Sequence, residues 1–254
     1  MSNGMTYPGA GKVSHIGKAA SLLAEVRRRR PRVHALMNTV VQKFAADGLT
    51  AVGAVPSMTS SEEEIADFVA KVDALVVNLG TLDQARRRVI GMAVEVANAA
   101  GKPWILDPVH CDYSPGRLAF ARELIMLGPT VVRGNKAEMA VIGDTRASLR
   151  IETGPVDHLQ DGAHRLAVRN GHPLMAKVTG TGCLCGGVIA AFLAVDRNAL
   201  HAAAAALAVT GVSAELAAGR ALGPGTFEPA FLDALATLSP DDLSHRARID
   251  DEND

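Results

Sequence analysis

The residues that could do chemistry begin with Val178-Thr179-Gly180-Thr181-Gly182-Cys183, followed at once by the apolar run from Leu184 to Leu193. A helix that opens directly after glycines presents unpaired backbone N–H groups and the positive end of its dipole, and glycine lets an anion approach them closely. Gly180, Thr181, Gly182 and Cys183 therefore read as an anion hole, set against the plainer alternative of a tight turn into a buried helix. Two acidic residues, Asp107 in Leu106-Asp107-Pro108 and Glu138 in Arg133-Gly134-Asn135-Lys136-Ala137-Glu138, follow apolar runs. Placed at the carboxyl ends of parallel strands, both can converge on a hydrated Mg²⁺ carrying nucleotide phosphates; the other reading of each is a helix cap or a surface charge. Arg133 and Asn135 bracket Gly134 at the same edge, where a guanidinium can hold phosphate oxygens in a fork.

Three other patterns do not carry chemistry. Gly9-Ala10-Gly11-Lys12 ends like a P-loop, but Thr6 and Val13 stand where that motif needs Gly and Ser or Thr. Arg27 to Arg30 precede Pro31 and read as a solvated helix end, where cations favour the dipole. Cys183 and Cys185 are too few for a structural zinc site, and their spacing on a helix start does not point them together.

The elements that must position these residues alternate along the chain. Val33 to Met37, Ala74 to Asn78, Trp104 to Asp107 and Thr130 to Arg133 are apolar runs. Each is followed by a segment of helical period: from about Val40, Leu82 to Ala100, Leu118 to Leu127, and near Asn135. This is the signature of βαβ units on a parallel sheet. Leu149 to Thr153 reads as a further strand, and runs around Asp157 and Leu166, separated by Asp161-Gly162, as a β-hairpin. After Thr181 the chain reads as helical throughout, covering one sheet face, with a frayed acidic tail at 250–254.

The whole chain bounds the function. Its 254 residues are 48% hydrophobic, enough for one α/β domain, 1–254, with a large core. Lys plus Arg, 26, nearly cancel Asp plus Glu, 27, so no overall field draws the protein to nucleic acid or a membrane. The start lacks a signal peptide's apolar run, and no uninterrupted apolar stretch reads as long enough to span a bilayer. The three cysteines, Cys111, Cys183 and Cys185, lack framework spacing, which places the protein in the reducing cytoplasm.

Six stretches in order are similar to the hydroxyethylthiazole kinase family: Val33 to Met58, Asn78-Leu79-Gly80-Thr81-Leu82, Gly101 to Val109, Arg133-Gly134-Asn135 with Glu138, Gly171 to Met175, and Thr179 to Cys183. The resemblance implies a ribokinase-like three-layer α/β sandwich with a mostly parallel sheet. It also implies a trimer with active sites between subunits, and transfer of the ATP γ-phosphoryl group to the alcohol of 4-methyl-5-(2-hydroxyethyl)thiazole. By motif position, Met58, Gly180 and Asn38 would meet the thiazole, and Arg133, Thr153 and Asn135 would meet ATP. Asp107 and Glu138 would serve Mg²⁺, and Cys183 would stand in the place of the catalytic base, its thiol pKa lowered by the helix start. Two stretches depart from the pattern. His110-Cys111-Asp112-Tyr113 is bulkier than the family's small turn, and the segment from Gly143 to Leu149 is shorter. These departures keep two other readings open: a hydroxymethylpyrimidine-type kinase, and a weakly catalytic thiazole or nucleotide sensor.

Overall fold

The computed structural model describes residues 15–145 and 148–252. The glycine-lysine stretch at 9–12 lies outside them. The described residues form a nine-stranded sheet in the order β2-β1-β3-β4-β5-β6-β7-β8-β9. Strands β1 (Arg32–Leu36), β2 (Val55–Ser57), β3 (Ala74–Asn78), β4 (Trp104–Asp107), β5 (Val131–Asn135) and β6 (Leu149–Thr153) run parallel. Strands β7 (Asp157–Asp161), β8 (His164–Val168) and β9 (Ile249–Asp251) extend the sheet antiparallel.

Because alternate strand residues face opposite sides, the sheet feeds two cores. Ala74, Val76 and Ile105 pack against α1 (His15–Arg29), α2 (Gln42–Val52), α7 (Thr181–Leu193), α8 (Ala199–Ala218), α9 (Pro224–Thr237) and α10 (Pro240–Arg246). Leu75, Val77, Trp104 and Leu106 pack against α3 (Ile65–Ala70), α4 (Gln84–Ala99), α5 (Pro115–Ile125) and α6 (Lys136–Ile142). The result is the expected three-layer α/β sandwich. Asp161 and Gly162 make the expected hairpin turn, with Gly162 at φ +59° and Asp161 opposite His164.

Several local expectations are corrected. β2 and α3 are short, and neither has a periodic pattern long enough to stand out. Lys102 supports α3 from outside by donating to the carbonyls of Val69, Ala70 and Val72 at 2.9, 2.6 and 2.7 Å. The C-terminal region is not wholly helical, because Ile249–Asp251 pairs with β8 and Arg169 Nε lies 2.6 Å from Asp250 Oδ2, so this part of the acidic tail is ordered. Asn253 and Asp254 lie outside the described residues. Arg28 to Arg30 are exposed as expected, but Arg27 is half-buried: its guanidinium donates to the carbonyls of Leu238 and Leu235 at 2.6 and 3.0 Å, satisfying carbonyls at the C-terminal end of α9. Finally, α8 has 20 residues at a mean hydropathy of 1.4, long and apolar enough to cross a bilayer by those two measures. It is buried over 78% of that stretch, as the central helix of the larger core.

Candidate active site

The parallel strands bring their carboxyl ends to one edge, the side on which α/β sheets bind ligands. In sheet order, Met58 follows β2, Asn38 follows β1, Asn78 ends β3, Asp107 ends β4, Asn135 ends β5 and Thr153 ends β6. Strands β3 and β4 are buried throughout, and Asn78 and Asp107 are the polar residues at their carboxyl ends, both buried as well.

The anion-hole segment faces this edge. Gly180 is the N-cap of α7 at φ +100°, a left-handed conformation that suits glycine. A Cβ there would also lie 2.8 Å from Val41 Cγ1 and 3.2 Å from Phe44 Cδ1, so backbone freedom and packing both require glycine. Thr181 Oγ1 donates to the Met175 carbonyl at 2.7 Å, tying down the first turn. A Cβ on Gly182 would stand 3.3 Å from Arg133 Nη2, so the guanidinium lies against the helix start. Arg133 is buried, and its Nε has no hydrogen-bond partner among the described residues. Unpaired N–H groups and a buried cation are thus side by side, the arrangement an anionic ligand would satisfy.

Asn78 links the rest of the centre. Its Oδ1 accepts from Gly80 N at 3.0 Å, which turns Nδ2 toward Asp107 Oδ2 at 2.9 Å and Cys183 Sγ at 3.3 Å. Arg133 Nη1 lies 3.4 Å from the same Asp107 oxygen. Burial pushes the Asp107 carboxyl up to about 6; the charge of Arg133 opposes this, and that of Glu138 adds to it. Burial, reinforced by the charge of Asp107, pushes the Cys183 thiol up to about 12. This overturns the expectation of a lowered thiol pKa: desolvation and a neighbouring carboxylate outweigh the helix start.

Glu138 is the reciprocal member of a capping box. Asn135 Oδ1 accepts from Ala137 N and Glu138 N, while Glu138 Oε2 accepts from Asn135 N at 2.8 Å. Its other oxygen accepts from His110 N at 2.8 Å, so the unusual turn is fastened to the same carboxylate. His110 stacks on Tyr113 with ring centroids 5.1 Å apart. His110, Asp112 and Glu138 each offer a ligand atom within 4.8 Å of the others; Asp107 is not in this group. The Glu138 charge disfavours ionisation of Asp107, a repulsion that a divalent ion bound by both carboxylates would relieve.

A cavity of about 660 Å³ opens beside the helix start, lined in part by Arg133, Thr153, Asp157, Lys177, Thr181 and Gly182. Thr153 Oγ1 donates to the Gly134 carbonyl at 3.2 Å, holding β6 to β5 at the rim. Asp107, Glu138, Asn135, Cys183, Asn38 and Met58 are not among the lining residues. Asn38 instead caps the 3-10 turn Thr39–Val41 and packs on Gly80, where a Cβ would lie 2.6 Å from its Nδ2. Met58 packs partly buried against the larger core. Sequence reasoning gave no role to Asn78, Asp157 or Lys177. A polar residue ending the wholly apolar run of β3 was a usable signal for Asn78. Asp157 looked like an ordinary hairpin residue, and only the fold shows that burial raises its pKa.

The model of the hydroxyethylthiazole kinase family matches residues 23–150 and 144–241. The chain belongs to this family. It is 68% identical over 235 residues to a probable hydroxyethylthiazole kinase of Agrobacterium fabrum, covering 92% of this chain and 96% of that one. The structure of the hydroxyethylthiazole kinase protein from Pyrococcus horikoshii superposes with a TM-score of 0.89 at 34% identity, covering 92% and 98% of the two chains. A ribokinase-like superfamily protein from Enterococcus faecalis shares the fold at a TM-score of 0.63 and 12% identity, covering 94% and 100%. The protein is an enzyme, a kinase with the ribokinase-like architecture.

Proposed function

We propose that this kinase transfers the γ-phosphoryl group of ATP to the hydroxyethyl oxygen of 4-methyl-5-(2-hydroxyethyl)thiazole, as in thiamine salvage, and that residues 1–254 act as one domain. The observation that carries the reading is the anion cradle. In a chain that matches the family over most of its length, Arg133 lies against the start of α7 in the lining of a cavity of about 660 Å³.

In this reading the cavity takes ATP, with Thr153 in its lining and Asn135 paired beside Thr153 on β5, and Arg133 and the N–H groups of Thr181, Gly182 and Cys183 hold the phosphates. Asp107 and Glu138 would hold Mg²⁺, which would supply neutralisation of charge on the phosphoryl oxygens. Met58, Asn38 and Gly180 hold the thiazole. The alcohol oxygen forms a bond to the γ-phosphorus as the bond to the bridging oxygen breaks, giving a phosphate monoester and ADP. The hydroxyl proton leaves late, to an oxygen of the transferred phosphoryl group and from there to solvent, since phosphoryl transfer passes through a loose transition state. Cys183 stands beside this hydroxyl as a neutral thiol that fixes its position, and the arginine and helix start contribute most of the charge stabilisation.

A homotrimer with active sites between subunits is part of the proposal. Val40, 73% exposed, follows Asn38 by two residues, and exposed Val55 and Phe68 lie on and beside the edge strand that leads to Met58. A second copy would cover these side chains. The three free cysteines fit a reducing cytoplasm. The test is incubation with Mg²⁺-ATP and the thiazole alcohol, followed by ³¹P NMR. Equal amounts of ADP and a new phosphate monoester are expected, and ATP hydrolysis without the monoester would contradict the reading.

A further inference from the structure

Met58 is carried by a segment that the sheet barely holds. β2 has three residues at the edge of the sheet, and its register with β1 ends at the pair His34↔Ser57. One residue later the chain leaves the ladder, and something else must fix where Met58 stands.

His34 lies at that point. It is fully buried on β1, with Nδ1 2.8 Å from Ser57 Oγ and Nε2 3.0 Å from the Thr59 carbonyl oxygen. A carbonyl only accepts, so Nε2 carries the proton and Nδ1 accepts from the Ser57 hydroxyl. Burial lowers the pKa of the ring, which keeps it in the neutral form this pattern needs. The Phe68 ring, tilted against it at 5.8 Å between centroids, restricts its plane. A single imidazole thus grips the residues immediately before and after Met58.

A histidine that merely filled the core would spend its nitrogens on whatever lay nearest, and replacing it would cost stability alone. Here both nitrogens reach across to the exit of one edge strand. Ser57 and Thr59 are half-buried. Water can replace the lost partner in a variant, so removing the imidazole disturbs the placement of the segment more than the stability of the fold.

We propose that His34 is a positioning residue for the alcohol substrate: it clamps Ser57 and Thr59 and thereby sets the place of Met58. This rests on the reading that Met58 meets the thiazole. The ATP side, at β5 and β6, lies across the sheet, and the clamp does not touch it.

The test compares wild type, His34→Leu, His34→Gln and Ser57→Ala in steady-state kinetics for both substrates, and in amide hydrogen exchange of the segment 55–61 without substrate. His34→Leu removes both bonds at similar volume. It is expected to raise KM for the alcohol about tenfold, the effect of two modest hydrogen bonds, with KM for ATP within about twofold of wild type and faster exchange in the segment. His34→Gln, whose amide N–H can reach the Thr59 carbonyl, is expected to recover part of the loss. Ser57→Ala removes one bond without touching the core, and carries the same test if His34→Leu does not fold. Unchanged exchange in the segment, or equal rises in both KM values, overturns the clamp. A wild type that does not phosphorylate the thiazole alcohol overturns the reading of Met58 and this proposal with it. That result is told apart from failure of the clamp alone, in which wild type is active and the variants match it.

Discussion

In the proposed reaction Cys183 takes the place where a base would accept the proton of the acceptor hydroxyl, and its raised pKa sets the size of the difficulty. With the thiol pushed up to about 12, about one molecule in 10⁵ carries a thiolate at pH 7, a cost of about 7 kcal/mol if the thiolate had to form first. General-base assistance contributes about 10²- to 10⁴-fold, or roughly 3–5 kcal/mol, so a route through free thiolate loses more than it returns. A loose transition state needs no early deprotonation, so Cys183→Ala is expected to lower kcat by about tenfold or less. The wild-type kcat should be flat between pH 7 and 9. Cys183→Asp places a carboxylate beside Asp107 and is expected to match or exceed the alanine variant, with a new loss of activity on the acid side as that carboxylate is protonated. The assay is ADP release by the three proteins across pH 6 to 9. A loss above about 10³-fold in Cys183→Ala, with wild-type kcat rising about tenfold per pH unit, would refute the reasoning.

Arg133→Ala removes charge-assisted bonds to phosphate and should raise KM for ATP by about 10- to 100-fold, more than KM for the alcohol; equal effects on both would move the arginine out of the nucleotide site. Asp107 binds its proton more tightly in the native protein than in the unfolded chain, so ionising it costs native stability as pH rises from about 4 through 6. Asp107→Asn should therefore raise Tm at pH 7, by a contribution on the order of 2–3 kcal/mol, while activity collapses; a lowered Tm at pH 7 would contradict the raised pKa. Gly180→Ala meets both the left-handed backbone and Val41, and should cost about 2–4 kcal/mol in denaturant melts together with activity. Chelation with EDTA should abolish turnover and added Mg²⁺ restore it, whereas unchanged turnover would remove Asp107 and Glu138 from metal binding.

The parallel half of the sheet was legible because buried strands read as continuous apolar runs. Ala74–Asn78 and Trp104–Asp107 match their expected bounds, and Asp107 stood out as the acidic residue that ends such a run, whereas Asn38 and Thr153 were singled out only through the family resemblance. Gly180 and Gly182 were legible because a glycine pair before an apolar helix has few structural uses. What escaped depends on contacts distant in sequence. β9 forms only because β8 offers it an edge, and Arg27 is drawn from solvent by carbonyls of a helix near the other end of the chain. Local reasoning placed a lowered pKa on Cys183 because the helix start is local, while the burial and the Asp107 charge that reverse it are not. Glu138 takes the capping reading, closing the box at the start of α6, and its charge also helps raise the pKa of Asp107.

The turn at His110, fixed to Glu138 through its backbone and stacked on Tyr113, puts bulky side chains beside the proposed metal residues. The central claim is therefore tested most directly by kcat/KM for ADP release with Mg²⁺-ATP over thiazole, pyrimidine and pyridoxine alcohols in parallel. The account predicts the highest value for a hydroxyethylthiazole. A preference for the pyrimidine or pyridoxine alcohol, or tight binding of thiazole and ATP with no phosphoryl transfer, would contradict it.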